Sequence, residues 1–114
     1  MSVKLTLRQV GDVTVVDAVG RLTLGEGSSV FRDAVRDLVA KGNKKIVLNL
    51  GEVTYIDSSG IGEMVSAFTT VTNQGGQFKL LHLTKRVQDL LQITKLYTVF
   101  EVFDDEAHAI GSFA

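Results

Sequence analysis

KIVLNLGEVTYIDSSGIGEMVSAFTTV, residues 45–71, contains the change of hydrophobic period that decides the fold. Ile46 to Leu50 is a short, nearly continuous apolar run of the kind a strand buried on both faces carries, and Val53 to Ile56 leads it into Asp57-Ser58-Ser59-Gly60. The strand is expected to end at that tetrapeptide or just before it. Ile61, Met64, Val65, Phe68 and Val71 then follow at helical spacing, the apolar face of an amphipathic helix that stops near Asn73-Gln74-Gly75-Gly76.

Working outward, Val3, Leu5 and Leu7 alternate with polar residues, and Val13 and Val15 repeat the pattern after Gly11-Asp12, which predicts an opening hairpin. Val30, Phe31, Ala34, Val35, Leu38 and Val39 form the stripe of a first helix, capped at Ser28 or Ser29 and ending at Lys41-Gly42. Phe78 to Leu83 reads as another strand, and Thr84 caps a helix carrying Val87, Leu90 and Leu91. Val99 to Phe103 reads as a last strand, with Asp104 capping a short terminal helix. Strands alternating with helices of this length imply an α/β fold. Its small mixed sheet combines an antiparallel hairpin with mainly parallel strands.

Composition bounds the function. A chain of 114 residues is expected to form one domain over residues 1–114, and 45% apolar against 22% charged residues supplies a core. Zero cysteines exclude a disulfide scaffold, a cysteine zinc site and a thiol nucleophile. Twelve Lys and Arg against thirteen Asp and Glu leave a net charge of -1, with no global field to gather nucleic acid, so no direct nucleic-acid partner is expected. Lys4 and Arg8 interrupt the N-terminal apolar residues, and no uncharged run of about twenty apolar residues occurs. A cytoplasmic protein without membrane insertion is the expectation.

Chemistry-bearing residues are few. Neither Ser58 nor Ser59 has Gly two residues before it, so the nucleophile elbow of a serine hydrolase is not matched. His82, between Leu81 and Leu83, reads as a structural imidazole in an apolar strand. Gly25-Glu26-Gly27 is too short for a dinucleotide fingerprint, and Asp104-Asp105-Glu106 lacks the spacing of a calcium loop. No cofactor and no metal site is implied. Asp57-Ser58-Ser59-Gly60-Ile61-Gly62 remains, at a strand-to-helix junction on the carboxyl side of the sheet, where open α/β folds place their sites.

Capping explains part of that block, since Asp and Ser are preferred N-caps. Two serines exceed what one cap needs, however, and each glycine in a first helical turn costs about 1 kcal/mol relative to alanine. Gly60 and Gly62 are therefore expected to leave a bare surface that another protein's backbone could approach. A phosphoryl group on Ser58 or Ser59 would add about -1.5 to -2 charges there, which describes a switch.

The order hairpin, helix, Lys45-Ile46-Val47-Leu48-Asn49-Leu50, then Val53-Thr54-Tyr55-Ile56-Asp57-Ser58-Ser59-Gly60-Ile61-Gly62 resembles the STAS domain of bacterial anti-sigma-factor antagonists. Gly75-Gly76 and Lys85-Arg86-Val87-Gln88-Asp89-Leu90-Leu91 continue the likeness essentially end to end. The resemblance implies helices packed mainly on one face of the sheet and no catalytic activity. It implies that Ser58 is the phosphoacceptor of an anti-sigma factor serine kinase, that a metal-dependent serine phosphatase reverses the modification, and that the unmodified form binds the kinase and frees the sigma factor. Thr23, Asp57, Ser58, Ser59, Gly60, Ile61 and Gly62 would then border the partner-binding surface, with the turn Gly20-Arg21-Leu22-Thr23. The alternative within the same fold is a stand-alone STAS subunit of another signalling complex or of a membrane transporter.

Overall fold

The computed structural model describes residues 3–113. β1 (Val3–Val10) and β2 (Val13–Leu22) form the predicted antiparallel hairpin across Gly11-Asp12. Gly11 has φ +63°, the conformation that a two-residue hairpin loop asks of its first residue. Three helix-and-strand units follow: α1 (Glu26–Ala40) and β3 (Lys45–Ile56), α2 (Ser58–Asn73) and β4 (Gln77–Leu81), α3 (Lys85–Ile93) and β5 (Val102–Phe103). α4 (Glu106–Gly111) closes the described chain.

The strands lie in sequence order, β1-β2-β3-β4-β5, and every pair after the first is parallel. Because the sheet grows in one direction, right-handed crossovers put α1, α2 and α3 on the same face. Strand alternation sends Val16, Leu48, Leu50 and Leu80 into the main core under those helices. Val15, Val47 and Leu81 point the other way, into a smaller cluster covered by Ala109 and Phe113 from the α4 end.

α4 is held at both ends by charge. Arg8 donates to Asp17 on β2 and to Glu106, the first residue of α4. At the other end Lys79, only 5% exposed, donates to the Ser112 carbonyl at 3.1 Å and hydroxyl at 2.8 Å. A cation at a helix C-terminus satisfies unpaired carbonyls and is favoured by the dipole. Among the described residues no helix is long and apolar enough to cross a membrane.

Four local expectations need correction. α1 starts at Glu26 with Gly25 (φ +99°) as its cap, and Ser28 lies inside its first turn, so neither Ser28 nor Ser29 is the cap. β4 ends at Leu81; His82 has left the strand with φ +56° and is exposed, so it is not an imidazole enclosed in a strand. β5 has two residues only, because Phe100 turns into the core, where its ring meets Phe68 at 5.6 Å and Phe78 at 6.3 Å. Its apolarity serves ring packing rather than a ladder. Asp105, not Asp104, caps α4, through a 2.9 Å bond from the His108 amide.

Candidate functional site

The carboxyl end of β2 is a crossing point. The turn after it passes from Thr23 to Gly25 into α1, and β3 ends beside it at Ile56, with Asp57 alone between it and α2. An added Cβ at Gly27 would lie 2.9 Å from the Arg21 carbonyl oxygen, and one at Gly60 would lie 2.3 Å from the Leu22 carbonyl oxygen and 2.7 Å from Ile56 Cγ1. Both helices therefore begin pressed on the backbone of one strand end, and only glycine lets them approach so closely.

Asp57 ties the two segments together. Its Oδ1 accepts from the Gly60 amide at 3.0 Å, the N-cap bond of α2, while Oδ2 accepts from the Leu24 amide at 3.1 Å. One carboxylate thus caps a helix and fixes a turn 33 residues away. Partial burial pushes the Asp57 carboxyl up, but the amides of Leu24, Gly60 and Ser59 outweigh it and hold the group below the usual carboxylate range.

With Asp57 as the cap, the serines are released from that duty. Ser58 is exposed at the first position of α2, Ser59 is half-buried at the second, and among the described residues neither hydroxyl has a hydrogen-bond partner. Gly62 is exposed, with nothing within 4 Å of an added Cβ. Nearby, Arg32 of α1 makes a forked pair with Glu63 of α2, Nε to both oxygens at 3.2 Å and a second nitrogen to Oε2 at 2.7 Å, which braces the two helices just past the serines.

The two glycines that the sequence groups together therefore differ. Gly60 is filled from within by Leu22, and Gly62 is the bare one. Ile61 is 2% exposed and belongs to the main core, so it presents no side chain outward. Thr23 is half-buried, and its carbonyl accepts from the Ser28 amide at 3.1 Å and hydroxyl at 2.9 Å. Gly20, Arg21 and Leu22 are the last residues of β2 rather than turn residues, and Leu22 is fully buried. Leu24, 78% exposed beside Asp57, escaped the sequence reading. The available signal was a large apolar residue set next to glycine in a turn.

A family model described as the STAS domain matches residues 4–109. The anti-sigma-B factor antagonist of Bacillus subtilis is 28% identical over 102 residues, 90% of this chain and 92% of that protein. A Thermotoga maritima crystal structure, described provisionally as an anti-sigma factor antagonist, has a TM-score of 0.89 at 27% identity and covers 96% of this chain and 93% of that one. The Bacillus cell fate determinant SpoIIAA in its phosphorylated form has a TM-score of 0.77 at 19% identity, covering 97% of this chain and all of that one, a likeness of fold.

Proposed function

Since the chain belongs to the STAS domain family, we propose that it acts in the cytoplasm as an anti-sigma factor antagonist, residues 1–114 working as one regulatory domain without catalytic activity of its own. Unmodified, it binds an anti-sigma factor serine kinase and the sigma factor is released. The kinase transfers the γ-phosphoryl group of ATP to Ser58 Oγ; a phosphate ester forms, the bond to ADP breaks, and binding ends. A metal-dependent serine phosphatase hydrolyses the ester and restores the binding form.

The observation that carries this reading is the division of labour at the start of α2: Asp57 caps, Ser58 is exposed and unbonded, and Ser59 is partly covered. Both Asp57 oxygens are committed to backbone amides. On this reading the kinase supplies the proton acceptor for the Ser58 hydroxyl, in keeping with a protein that is a substrate rather than an enzyme. A phosphoryl group would meet the positive end of the α2 dipole and be repelled by Asp57, so the fold survives while the surface changes charge.

The test is titration calorimetry of unmodified protein, Ser58→Ala and Ser58-phosphorylated protein against the cognate kinase. Burying an unpaired charge in an interface costs about 2 to 5 kcal/mol, and each 1.4 kcal/mol is about tenfold in affinity. A loss of roughly thirtyfold or more is expected on phosphorylation, with Ser58→Ala binding retained. Phosphopeptide mapping accompanies it. Equal affinities, or phosphate located on Ser59, would overturn the assignment.

A further inference from the structure

Arg21 and Tyr55 are register partners on β2 and β3, and their chain neighbours Leu22 and Ile56 are fully buried in the main core. Alternation therefore turns Arg21 and Tyr55 to the opposite face of the sheet. α4 covers that face around Val13, Val15, Val47 and Leu81, at the other end of the strands. The end next to Ser58 is open.

There the Arg21 guanidinium carbon lies 5.3 Å from the Tyr55 ring centroid and that of Arg86 lies 4.4 Å from it. Tyr55 remains 38% exposed beneath the two cations, and exposed Leu24 stands in the turn that follows β2. Arg8 and Arg32 are met by carboxylates, whereas Arg21 and Arg86 meet none among the described residues. Among the described side chains the nearby acids do not serve them: Asp57 is bound to amides, Asp89 pairs with Lys85, and Glu52 is level with Val19, further down the strands.

Arg86 also stands in the first turn of α3, where the helix dipole disfavours a cation. Its position thus does nothing for its own helix. Unpaired guanidinium groups over an exposed tyrosine match the composition of protein interface centres, and the planar fork suits a carboxylate.

We infer that the Arg21, Tyr55 and Arg86 cluster is a docking site for a carboxylate-bearing segment of the partner protein, laid along the open end of the sheet beside Ser58. The inference rests on the switch reading above and extends it. Tyr55 precedes Ser58 by three residues, so an acidic segment seated on it would meet like charge from a phosphoryl group on Ser58, which would supply the expulsion step of the proposed switch. A phosphate polymer is disfavoured by the net charge of -1.

The full chain, labelled with nitrogen-15, is titrated with a capped hexapeptide of alternating Glu and Leu while the Arg21 and Arg86 Nε–H signals are followed by NMR. The controls are the Gln and Leu counterpart, inorganic phosphate and an oligothymidylate. Both arginine signals should move with the Glu peptide and stay still with the Gln peptide. Affinity should fall about tenfold in Arg21→Gln/Arg86→Gln and about threefold in Arg86→Gln alone, and it should weaken with added salt. Thermal unfolding verifies that both variants fold, and the single variant decides if the double one does not.

An equal response to the Gln peptide, unchanged affinity in a folded variant, or tighter binding of phosphate or oligothymidylate overturns the inference. Kinase binding separates it from the switch. If phosphorylation of Ser58 still expels the kinase while the Glu peptide fails, only the acid-docking cluster falls. If the peptide binds as described and phosphorylation leaves kinase affinity unchanged, the cluster stands and the switch falls.

Discussion

The junctions of β3 with α2 and of β4 with α3 follow the same capping rule and reach different ends. Asp57 and Thr84 each accept a bond from the amide three residues on, Gly60 at 3.0 Å and Val87 at 3.3 Å. The third helical residue is pressed against the protein in both. In α3 it is Val87, fully buried in the core; in α2 it is Gly60, flush against the Leu22 backbone. The carboxylate of Asp57 has a second oxygen and uses it to hold Leu24, which the single hydroxyl of Thr84 cannot do. Local capping starts a helix, and a long-range contact decides whether that start also becomes a built surface.

The largest expected effect breaks the close approach. Gly60→Ala sets a methyl group 2.3 Å from a backbone oxygen, which cannot rotate away. The variant should lose about 3 kcal/mol by urea unfolding. A loss under about 1 kcal/mol would show that α2 can lift from β2 freely.

Removing the caps sharpens the contrast. Thr84→Ala should cost about 1 kcal/mol, the ordinary value for a cap. Asp57→Ala removes a cap and a bond to the turn, and about 2 kcal/mol is expected. Hydrogen exchange should show faster exchange of the Leu24 amide in Asp57→Ala but not in Thr84→Ala. Equal costs with an unchanged Leu24 rate would reduce the two junctions to one kind.

Acid separates them as well. The Asp57 carboxyl titrates below its ordinary value near 3.8 in the folded protein. A depressed folded value means that its contribution is fully present above that ordinary value and is lost as pH falls through it toward the folded value. Asp57→Asn should therefore flatten part of the decline in stability below about pH 4, whereas Thr84→Ala should keep the whole slope, because a hydroxyl does not titrate there. Asp17, held low by its bond to Arg8, contributes in both variants. Parallel acid limbs in denaturant midpoints would contradict the assignment.

The smallest effect is expected at Gly62, which is exposed, lacks a positive φ and has open space around it. Gly62→Ala should gain about 0.5 to 1 kcal/mol. Any loss of kinase affinity in that more stable protein would report contact at the interface. Destabilisation would mean that the two glycines act alike.

By itself the sequence determined the hairpin, the order of helices and strands, the end of β3 before Asp57 and the stripe of α2, because periods of two and 3.6 report directly which side of an element is buried. It also singled out Asp57 and the two serines, whose types and spacing are legible in one short stretch. The tertiary structure alone decided what lies between segments distant in the chain. That Gly60 is filled by Leu22 and Gly62 is not, that Asp57 reaches Leu24, and that Arg21 and Arg86 share the ring of Tyr55 are close approaches of separate elements. Phe100 and His82 show the same limit. Both sit in apolar runs, yet one ring is drawn into the core by Phe68 and Phe78 while the other residue turns out through a left-handed backbone. Apolarity states that a residue is buried or near burial, and only packing against a particular neighbour selects the backbone path that takes it there.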